Sequence, residues 1–439
     1  MISAIIISFF ILGMLVFLKR LVGLELFDPI FITPLYWFVF VVFSILISTP
    51  LGLKFYWAGV VPIFSFLLAF VIGSIVMRYL IVRSRMNLNG SKNPKSPQIF
   101  PLRLLFWLII GYSGLGFLAI MLQMNYLGIS IQSMSDLFQS ASKISEIRYN
   151  MGTDMPKYGL LLMSFLYSAS FFGGIYWVLN KSFLKKTVAL LPFVVIIIFT
   201  ITNGVKAGFL FMLIIWLSGF LSATIFIKRG RIKNYKRILF RGIFIFVFVM
   251  LLLPVTQFFR SGNNDKKMEF ITPGIISYFV SFNAFTIWYH NYDNSELTGY
   301  KRTLSGIHNL FYGEREKGLY GSNETEVGKF NNAPVTTNVF TMTRGLIEDF
   351  NFYGAMLLLF ITGMTVQFLY FLTKKKHLFA LCFLSLFYSI LFSSFAQNII
   401  NYNTILFSWM VSFLSIFIFW IISFIRNKIN VVAGPNRVE

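Results

Sequence analysis

Runs of about 20 consecutive apolar residues recur along this chain and constrain its fold more than any motif does. Each run is long enough to cross a hydrocarbon layer of about 30 Å as a helix. Only 12% of the 439 residues are charged, whereas a soluble domain usually carries about 25%. The strands of a membrane barrel would be shorter and would alternate apolar with polar residues. The sequence therefore predicts an all-α, polytopic membrane protein.

We predict about eleven membrane-spanning helices, with the N-terminus outside and the C-terminus inside. The spans cover about 2–18, 31–49, 56–82, 104–126, 158–179, 187–203, 207–227, 242–259, 351–373, 378–396 and 403–425. The loops after odd-numbered spans, with their edges, hold 24 of the 38 Lys and Arg residues but only three of the 16 acidic residues. Positive residues favour the cytoplasm, which sets the orientation. The net charge of +22 then reflects topology and attraction to anionic lipid, and no nucleic-acid partner is expected.

One long polar insertion, from about Arg260 to Arg344, separates spans 8 and 9 and holds half of the acidic residues and two of the three histidines. A connection of this length is more often functional than structureless. We expect a large, partly helical extracytoplasmic cap over a membrane-embedded site. The chain divides accordingly into a bundle of eight spans at 1–259, a cap at 260–350, and the last three spans with a cytoplasmic tail at 351–439.

The span interiors contain essentially no Asp or Glu, which disfavours a proton- or sodium-coupled transporter. No Walker-type glycine loop is present, and no His-x-x-x-His or Asp-x-Asp pair occurs. The adjacent acids Glu348 and Asp349 would diverge on a helix. We therefore expect neither a bound metal nor any other cofactor.

Cations gather at the predicted outer helix ends: Lys206, Arg260 and Arg344, with Arg148 in another outer segment. Any one of them alone more often extends to the membrane interface than binds a ligand. Together, on the side opposite the positive-inside bias, they favour a phosphate clamp. Arginine offers a bidentate fork to phosphate oxygens, and lysine offers a point charge.

Two polar stretches have the composition of a binding site. Residues 202–208, Thr-Asn-Gly-Val-Lys-Ala-Gly, contain Asn203 and open span 7 at Lys206. Helix N-termini favour anions, but an ordinary helical-hairpin turn is an equal alternative. Residues 331–354 contain Asn338 and are rich in amides, hydroxyls and aromatic rings, which suit a sugar; the alternative is a capped helix start with solvated polar residues.

In architecture the chain resembles the O-antigen polymerase (Wzy-type) family: many spans, a large outer loop late in the sequence, and a few closing spans. Two stretches carry the resemblance locally. One is 202–208, where relatives usually show a Thr/Gly-Ser-Arg-Gly type turn. The other is 338–354, similar to the asparagine–aromatic–acidic–glycine run that leads into the next span.

The resemblance implies that a glycan on undecaprenyl diphosphate is transferred to a sugar hydroxyl of a new lipid-linked repeat unit, outside a bacterial plasma membrane. It implies that outer cations handle the diphosphate, and Lys206 stands where the family usually has arginine. The expected partners are the lipid-linked oligosaccharide, membrane lipid and, optionally, a chain-length regulator.

The accepting hydroxyl needs at most a weak base, and histidine can serve near neutral pH, although an exposed loop histidine is more often incidental. The candidate bases are Glu348, Asp349, His290 and His308, and we favour Asp349. The expected catalytic residues are Arg260, Arg344, Lys206 and Asp349. The expected substrate-binding residues are Arg148, Asn203, His290, His308, Asn338 and Glu348.

Two other functions remain open at this point. A flippase or exporter of lipid-linked oligosaccharide would show span bundles related by two-fold symmetry around a cationic cavity, whereas no convincing internal repeat is present. An O-antigen ligase has a similar architecture but carries a His-Asn pair where this chain has Thr337-Asn338. The large outer insertion favours the polymerase.

Overall fold

The computed structural model describes residues 2–22, 25–84, 101–129, 143–144, 156–203, 206–228, 279–292, 297–312 and 340–432. All regular structure in these ranges is helical, which confirms the predicted fold class for this part of the chain. The helices are α1 (Ile2–Val22), α2 (Pro29–Ser48), α3 (Trp57–Arg83), α4 (Leu102–Tyr126), α5 (Lys157–Leu179), α6 (Phe183–Asn203, with a 3-10 turn at Thr187–Leu190), α7 (Lys206–Lys228), α8 (Ser281–His290), α9 (Ser305–Tyr312), α10 (Met342–Lys374), α11 (Leu378–Ser393) and α12 (Asn403–Val432).

Nine of the helices in the described ranges are long and apolar enough to cross a membrane: α1 to α7, α10 and α12. Helix α11 is apolar but shorter, with 16 residues. Each of these ten helices matches one predicted span, whereas the predicted span 8 at 242–259 lies outside the described residues. The polytopic helical architecture is thus confirmed, and the total of eleven spans stays a prediction.

Two apolar cores hold the helices together. One core contains side chains from α1, α2, α3, α8 and α10, and the other contains side chains from α4, α5, α6, α7 and α12; α11 and α7 contribute to both. Helices α3 and α10 touch through glycines, because an added Cβ on Gly73 would lie 2.0 Å from the Phe360 carbonyl oxygen and one on Gly363 would lie 2.1 Å from that of Phe70. Small residues allow such close backbone contact between membrane helices.

Helix α8 belongs to the bundle, although the sequence places it in the polar cap. Its residues Phe282 and Phe285 are fully buried in the first core. Asn283 Nδ2 donates a hydrogen bond to the Lys54 carbonyl at 2.5 Å, just before α3 begins. The prediction and the structure differ because α8 is a short apolar stretch inside a long polar segment. The polar composition of the whole segment hides the apolar character of these ten residues.

Two ion pairs lie at the end of α10 at Lys374, called here the Lys374 end; they join the connection between α1 and α2 to α10 and to α3. Lys374 Nζ lies 2.9 Å from Glu25 Oε1, and the Tyr370 hydroxyl donates to Glu25 Oε2 at 2.5 Å. Arg78 Nη1 lies 3.1 Å from Asp28 Oδ2, and Asp28 Oδ1 accepts the backbone N–H that starts α2. Burial raises the pKa of the Asp28 carboxyl from 3.8 to about 6, although the nearby Arg78 opposes this shift.

Candidate functional site

The start of α10, residues 342–350, is a separate helical segment, called here the α10 head. Asn351 interrupts the helix with φ 54° and ψ −176°, a backbone region that residues other than glycine rarely adopt. Asn351 Oδ1 accepts the Gly354 N–H at 2.9 Å and so caps the helix that continues to Lys374. The interruption falls at the predicted boundary between cap and span, at 350/351. It leaves Arg344, Glu348 and Asp349 on the head.

Asp349 fastens the α10 head to the segment 298–303. Its Oδ1 accepts the Thr298 hydroxyl at 2.6 Å and the Arg302 backbone N–H at 3.0 Å, and its Oδ2 accepts the Thr303 backbone N–H at 2.6 Å. The residue is only 2% exposed. A buried carboxylate needs such hydrogen bonds to offset its lost hydration. Both Asp349 oxygens therefore hold the fold of 298–303.

Glu348 lies between two arginines. Arg344 Nε is 2.9 Å from Oε1, and Arg302 Nε is 3.2 Å from Oε2. The exposed fractions of the three side chains are 11% for Glu348, 14% for Arg344 and 22% for Arg302. The guanidinium carbon of Arg344 also lies 5.0 Å from the ring centre of Trp288 and 4.4 Å from that of Phe340. The two adjacent acids thus face different partners, as expected for neighbours on a helix.

The peptide groups of Arg302 and Thr303 are fixed from both sides. Their N–H groups donate to Asp349, and their carbonyl groups accept from the connection between α11 and α12. Asn398 Nδ2 donates to the Thr303 carbonyl at 2.9 Å, and Asn401 Nδ2 donates to the Arg302 carbonyl at 3.3 Å. The backbone that carries the Arg302 side chain is therefore positioned before any ligand arrives.

His308 is 8% exposed and lies on α9, so the expectation of an exposed loop histidine was wrong for this residue. Its Nδ1 is 3.5 Å from the Tyr300 hydroxyl, and its ring centre is 4.7 Å from that of Tyr312. The hydrogen bond with Tyr312 raises the pKa of Tyr300. Helix α9 lies against the 3-10 turn before α12, because Gly306 leaves room for the Ile400 carbonyl oxygen, 2.2 Å from where a Cβ would be. This contact explains the burial of His308.

His290 is exposed, as expected, but it is the last residue of α8 rather than part of a loop. Its ring stacks on that of Tyr56, with centroids 4.4 Å apart and planes at 17°. Two residues earlier, Trp288 lies against Arg344. His290 therefore belongs to the same end of the bundle as the α10 head, called here the Arg344 end.

Asn203 forms a reciprocal amide pair with Gln123 where α6 ends. Gln123 Nε2 donates to Asn203 Oδ1 at 2.7 Å, and Asn203 Nδ2 donates to Gln123 Oε1 at 3.1 Å and to Thr202 Oγ1 at 3.0 Å. Asn203 is 1% exposed. Helix α7 begins at Lys206, as the sequence of the turn predicts. The buried amide pair therefore joins α4 to the end of α6 and uses both amide groups of the two side chains.

The structure brings three of the predicted site residues, Arg344, Glu348 and Asp349, into one cluster with Arg302. Lys206 is placed by its backbone as the first residue of α7. The predicted residues Arg148, Arg260 and Asn338 lie outside the described residues.

Sequence reasoning missed Arg302 as a site residue. It appears in the sequence as one of nine Lys and Arg residues in the polar insertion, and the sequence analysis did not single it out. The available signal was the run Thr-Gly-Tyr-Lys-Arg-Thr at 298–303, in which hydroxyls flank a cation. Its pairing with Glu348 depends on contacts between residues far apart in the chain.

Among the described residues, no group of three or more His, Cys, Asp or Glu side chains is placed to hold a metal ion. The Arg344 end offers instead two partly buried guanidinium groups, aromatic rings and several hydroxyl and amide groups. Such groups can bind an anion together with a polar ring compound.

The chain was compared with protein families, with curated proteins and with solved structures, and no match was found.

Proposed function

We propose that this chain is a bacterial membrane polymerase that joins oligosaccharide repeat units carried on undecaprenyl diphosphate. The observation that carries the proposal is the convergence of Arg302 and Arg344 on one carboxylate at one end of the bundle. Two arginine forks held this way form a receptor for a phosphate-like anion. The resemblance to O-antigen polymerases suggests which anion it is.

The orientation proposed here places the Arg344 end outside a bacterial plasma membrane. The opposite end of α10 carries three consecutive lysines, Lys374 to Lys376, and such clusters favour the cytoplasmic side. A lipid diphosphate held at the Arg344 end would then keep its polyprenyl chain beside the apolar helices and present its sugars outward. The sequence predicts that the long polar insertion lies on the same side.

The proposed reaction exchanges one bond to the anomeric carbon for another. The bond between that carbon and the diphosphate oxygen of the donor breaks, and a bond to a sugar hydroxyl oxygen of the acceptor repeat unit forms. The hydroxyl proton passes to a base, and undecaprenyl diphosphate leaves with the bonding electrons. Arg302 and Arg344 would stabilise the negative charge that develops on the departing diphosphate.

The contacts of Asp349 suggest a positioning role for this residue rather than the role of general base. Both of its oxygens already accept hydrogen bonds from the segment 298–303. In the proposed mechanism Asp349 keeps the Arg302 backbone in place, and the base is one of Glu348, His290 and His308.

Aromatic rings near the cluster suit the carbohydrate part of the substrate. Tyr300, Phe311, Tyr312 and Tyr353 are 41%, 77%, 64% and 80% exposed. Each belongs to the α10 helix just after its head or to the segment 297–312. Exposed rings can stack on the apolar face of a sugar while hydroxyls and amides bind its polar edge.

The test is a deletion strain complemented with variants, with surface polysaccharide separated by chain length. Arg302→Ala and Arg344→Ala should each reduce the ladder of long chains to a single repeat unit while the protein remains in the membrane. Lys374→Ala, which removes a cation from the opposite end of α10, is the matched control and should leave the ladder intact. Protein level in the membrane is measured for all three variants.

Long chains persisting in both arginine variants would contradict the proposal. Accumulation of lipid-linked repeat units on the cytoplasmic side of the deletion strain would instead indicate the flippase alternative. Intact repeat units on the outer side without polymerisation are the result expected for a polymerase.

A further inference from the structure

The Glu348 side chain lies between the two arginines of the cluster. Each carboxylate oxygen faces a different arginine, Oε1 at 2.9 Å from Arg344 Nε and Oε2 at 3.2 Å from Arg302 Nε. Carboxylate and phosphate groups present paired oxygens to guanidinium groups in the same way. Two cations therefore share one internal anion.

Besides the ion pair of Glu348 with Arg302, hydrogen bonds that do not involve the Glu348 side chain join the α10 head to the segment 298–303. The Thr298 backbone N–H donates to the Glu348 carbonyl oxygen at 2.9 Å, which is a main-chain contact. The Asp349 carboxylate supplies three further hydrogen bonds to the same segment. If the Glu348 carboxylate moved away, these four hydrogen bonds would persist and keep both backbones in place.

The two arginines are also held by contacts other than Glu348. The Arg344 guanidinium lies against the Trp288 and Phe340 rings, and such stacking fixes the plane of the fork. The Arg302 backbone is held by Asn401 on one side and Asp349 on the other. Of the four charged side chains in the cluster, Glu348 is the one that can leave while the rest of the site keeps its geometry.

We propose that Glu348 is an internal stand-in for the ligand phosphate, which neutralises Arg302 and Arg344 in the empty site and is displaced by the incoming diphosphate. Displacement frees the Glu348 carboxylate next to the bound diphosphate. The inference rests on the proposed function for the identity of the lipid, but the exchange of one anion for another requires only a diphosphate group. Glu348 therefore lowers the affinity of the site and sets the ligand concentration at which it fills.

The experiment measures binding of inorganic pyrophosphate to the purified full-length protein in detergent by titration calorimetry. Glu348→Gln keeps the size of the side chain and removes its charge. We expect this variant to bind pyrophosphate about tenfold more tightly than the wild type or better, because a competing ion pair has been removed. Glu25→Gln, at the Lys374 end, is the matched control and should bind as the wild type does. Arg302→Ala and Arg344→Ala should both weaken binding.

Unchanged or weaker binding by Glu348→Gln overturns the inference, and so does the absence of measurable binding in both the variant and the wild type. Tighter binding that is lost again in the double variant Glu348→Gln/Arg344→Ala supports it.

The outcome of this experiment can be separated from the outcome of the test of the proposed function. Tighter pyrophosphate binding by Glu348→Gln, in a chain whose deletion leaves the polysaccharide ladder intact, would retain the anion exchange and reject the polymerase. If the polysaccharide ladder were lost in the arginine variants but Glu348→Gln bound pyrophosphate as the wild type does, the polymerase would be retained and the anion exchange rejected.

Discussion

The two ends of α10 both bury charged groups, but they balance them differently. At the Lys374 end each carboxylate has its own cation, Glu25 with Lys374 and Asp28 with Arg78. At the Arg344 end two arginines share Glu348. One-to-one pairing between different helices joins those helices and leaves little affinity for another ion. Because both arginines contact the same carboxylate, their guanidinium groups lie together, and in the proposed exchange an anionic ligand that displaces Glu348 meets both of them.

The Arg344 end also separates two tasks that the Lys374 end combines. Glu348 carries the charge contact, whereas Asp349 carries the hydrogen bonds that fold the neighbouring segment. At the Lys374 end Asp28 does both, because it caps α2 and pairs with Arg78. A charge that can be displaced must not also be needed for folding, so this separation is what a binding site requires.

The largest effect on stability is expected from Asp349→Asn, which should lower the free energy of unfolding by about 4 kcal/mol. The amide nitrogen cannot accept the Thr303 N–H, and the bonds to the remaining oxygen lose the charge; each hydrogen bond to a charged group contributes about 1.5–3 kcal/mol. The measurement is the melting temperature of the purified protein in detergent. Glu348→Gln should lose less than half as much, because the amide oxygen still accepts from one arginine and the hydrogen bonds of Asp349 to the segment 298–303 remain. Equal losses in the two variants would mean that Glu348 also holds the fold.

The pH dependence of Asp28 should come next in size. Burial raises its folded pKa from 3.8 to about 6, so the folded state holds this proton more tightly than the unfolded chain. The stabilisation is complete below about pH 4 and is lost as the pH rises through about 6. At about 1.36 kcal/mol per pKa unit, the loss is about 3 kcal/mol. Asp28→Asn does not titrate, so the wild type should lose melting temperature relative to this variant between pH 4 and pH 7. If the difference in melting temperature between the wild type and Asp28→Asn stayed constant from pH 4 to pH 7, the raised pKa of Asp28 would be contradicted.

The helical architecture could be predicted because membrane spans are local in sequence. The start of α7 at Lys206 followed from a few adjacent residues, and the two acids of the α10 head diverge as predicted for neighbours on a helix. The ion pairs at the Lys374 end could not be predicted, because Glu25 and Asp28 appear in the sequence only as single charges between apolar runs. Their partners Arg78 and Lys374 lie on other helices.

The geometry of the site could not be predicted for the same reason. Arg302 and Arg344 are separated by a long stretch of chain, and their common partner Glu348 becomes visible only after folding. Gln123 and Asn203 form a comparable pair across 80 residues. The burial of Phe282 and Phe285 was missed because α8 is too short to register as a span. Residue types predicted an anion site, whereas tertiary packing determined which cations lie together.

The smallest expected effect compares two residues with left-handed backbones, one towards each end of α10. Lys376, with φ 68°, follows the end of the helix, where glycine is usual, and Lys376→Gly should raise the free energy of unfolding by about 1 kcal/mol. Asn351→Gly should change it little, since relief of strain is offset by loss of the hydrogen bond to the Gly354 N–H. Asn351→Ala loses that bond without relief and should cost about 1 kcal/mol or more. Melting temperatures should therefore fall in the order Lys376→Gly, wild type and Asn351→Gly together, then Asn351→Ala. If Asn351→Gly were stabilised as much as Lys376→Gly, the hydrogen bond from the Gly354 N–H to Asn351 would contribute nothing to stability. The two left-handed residues would then differ in no energetic respect.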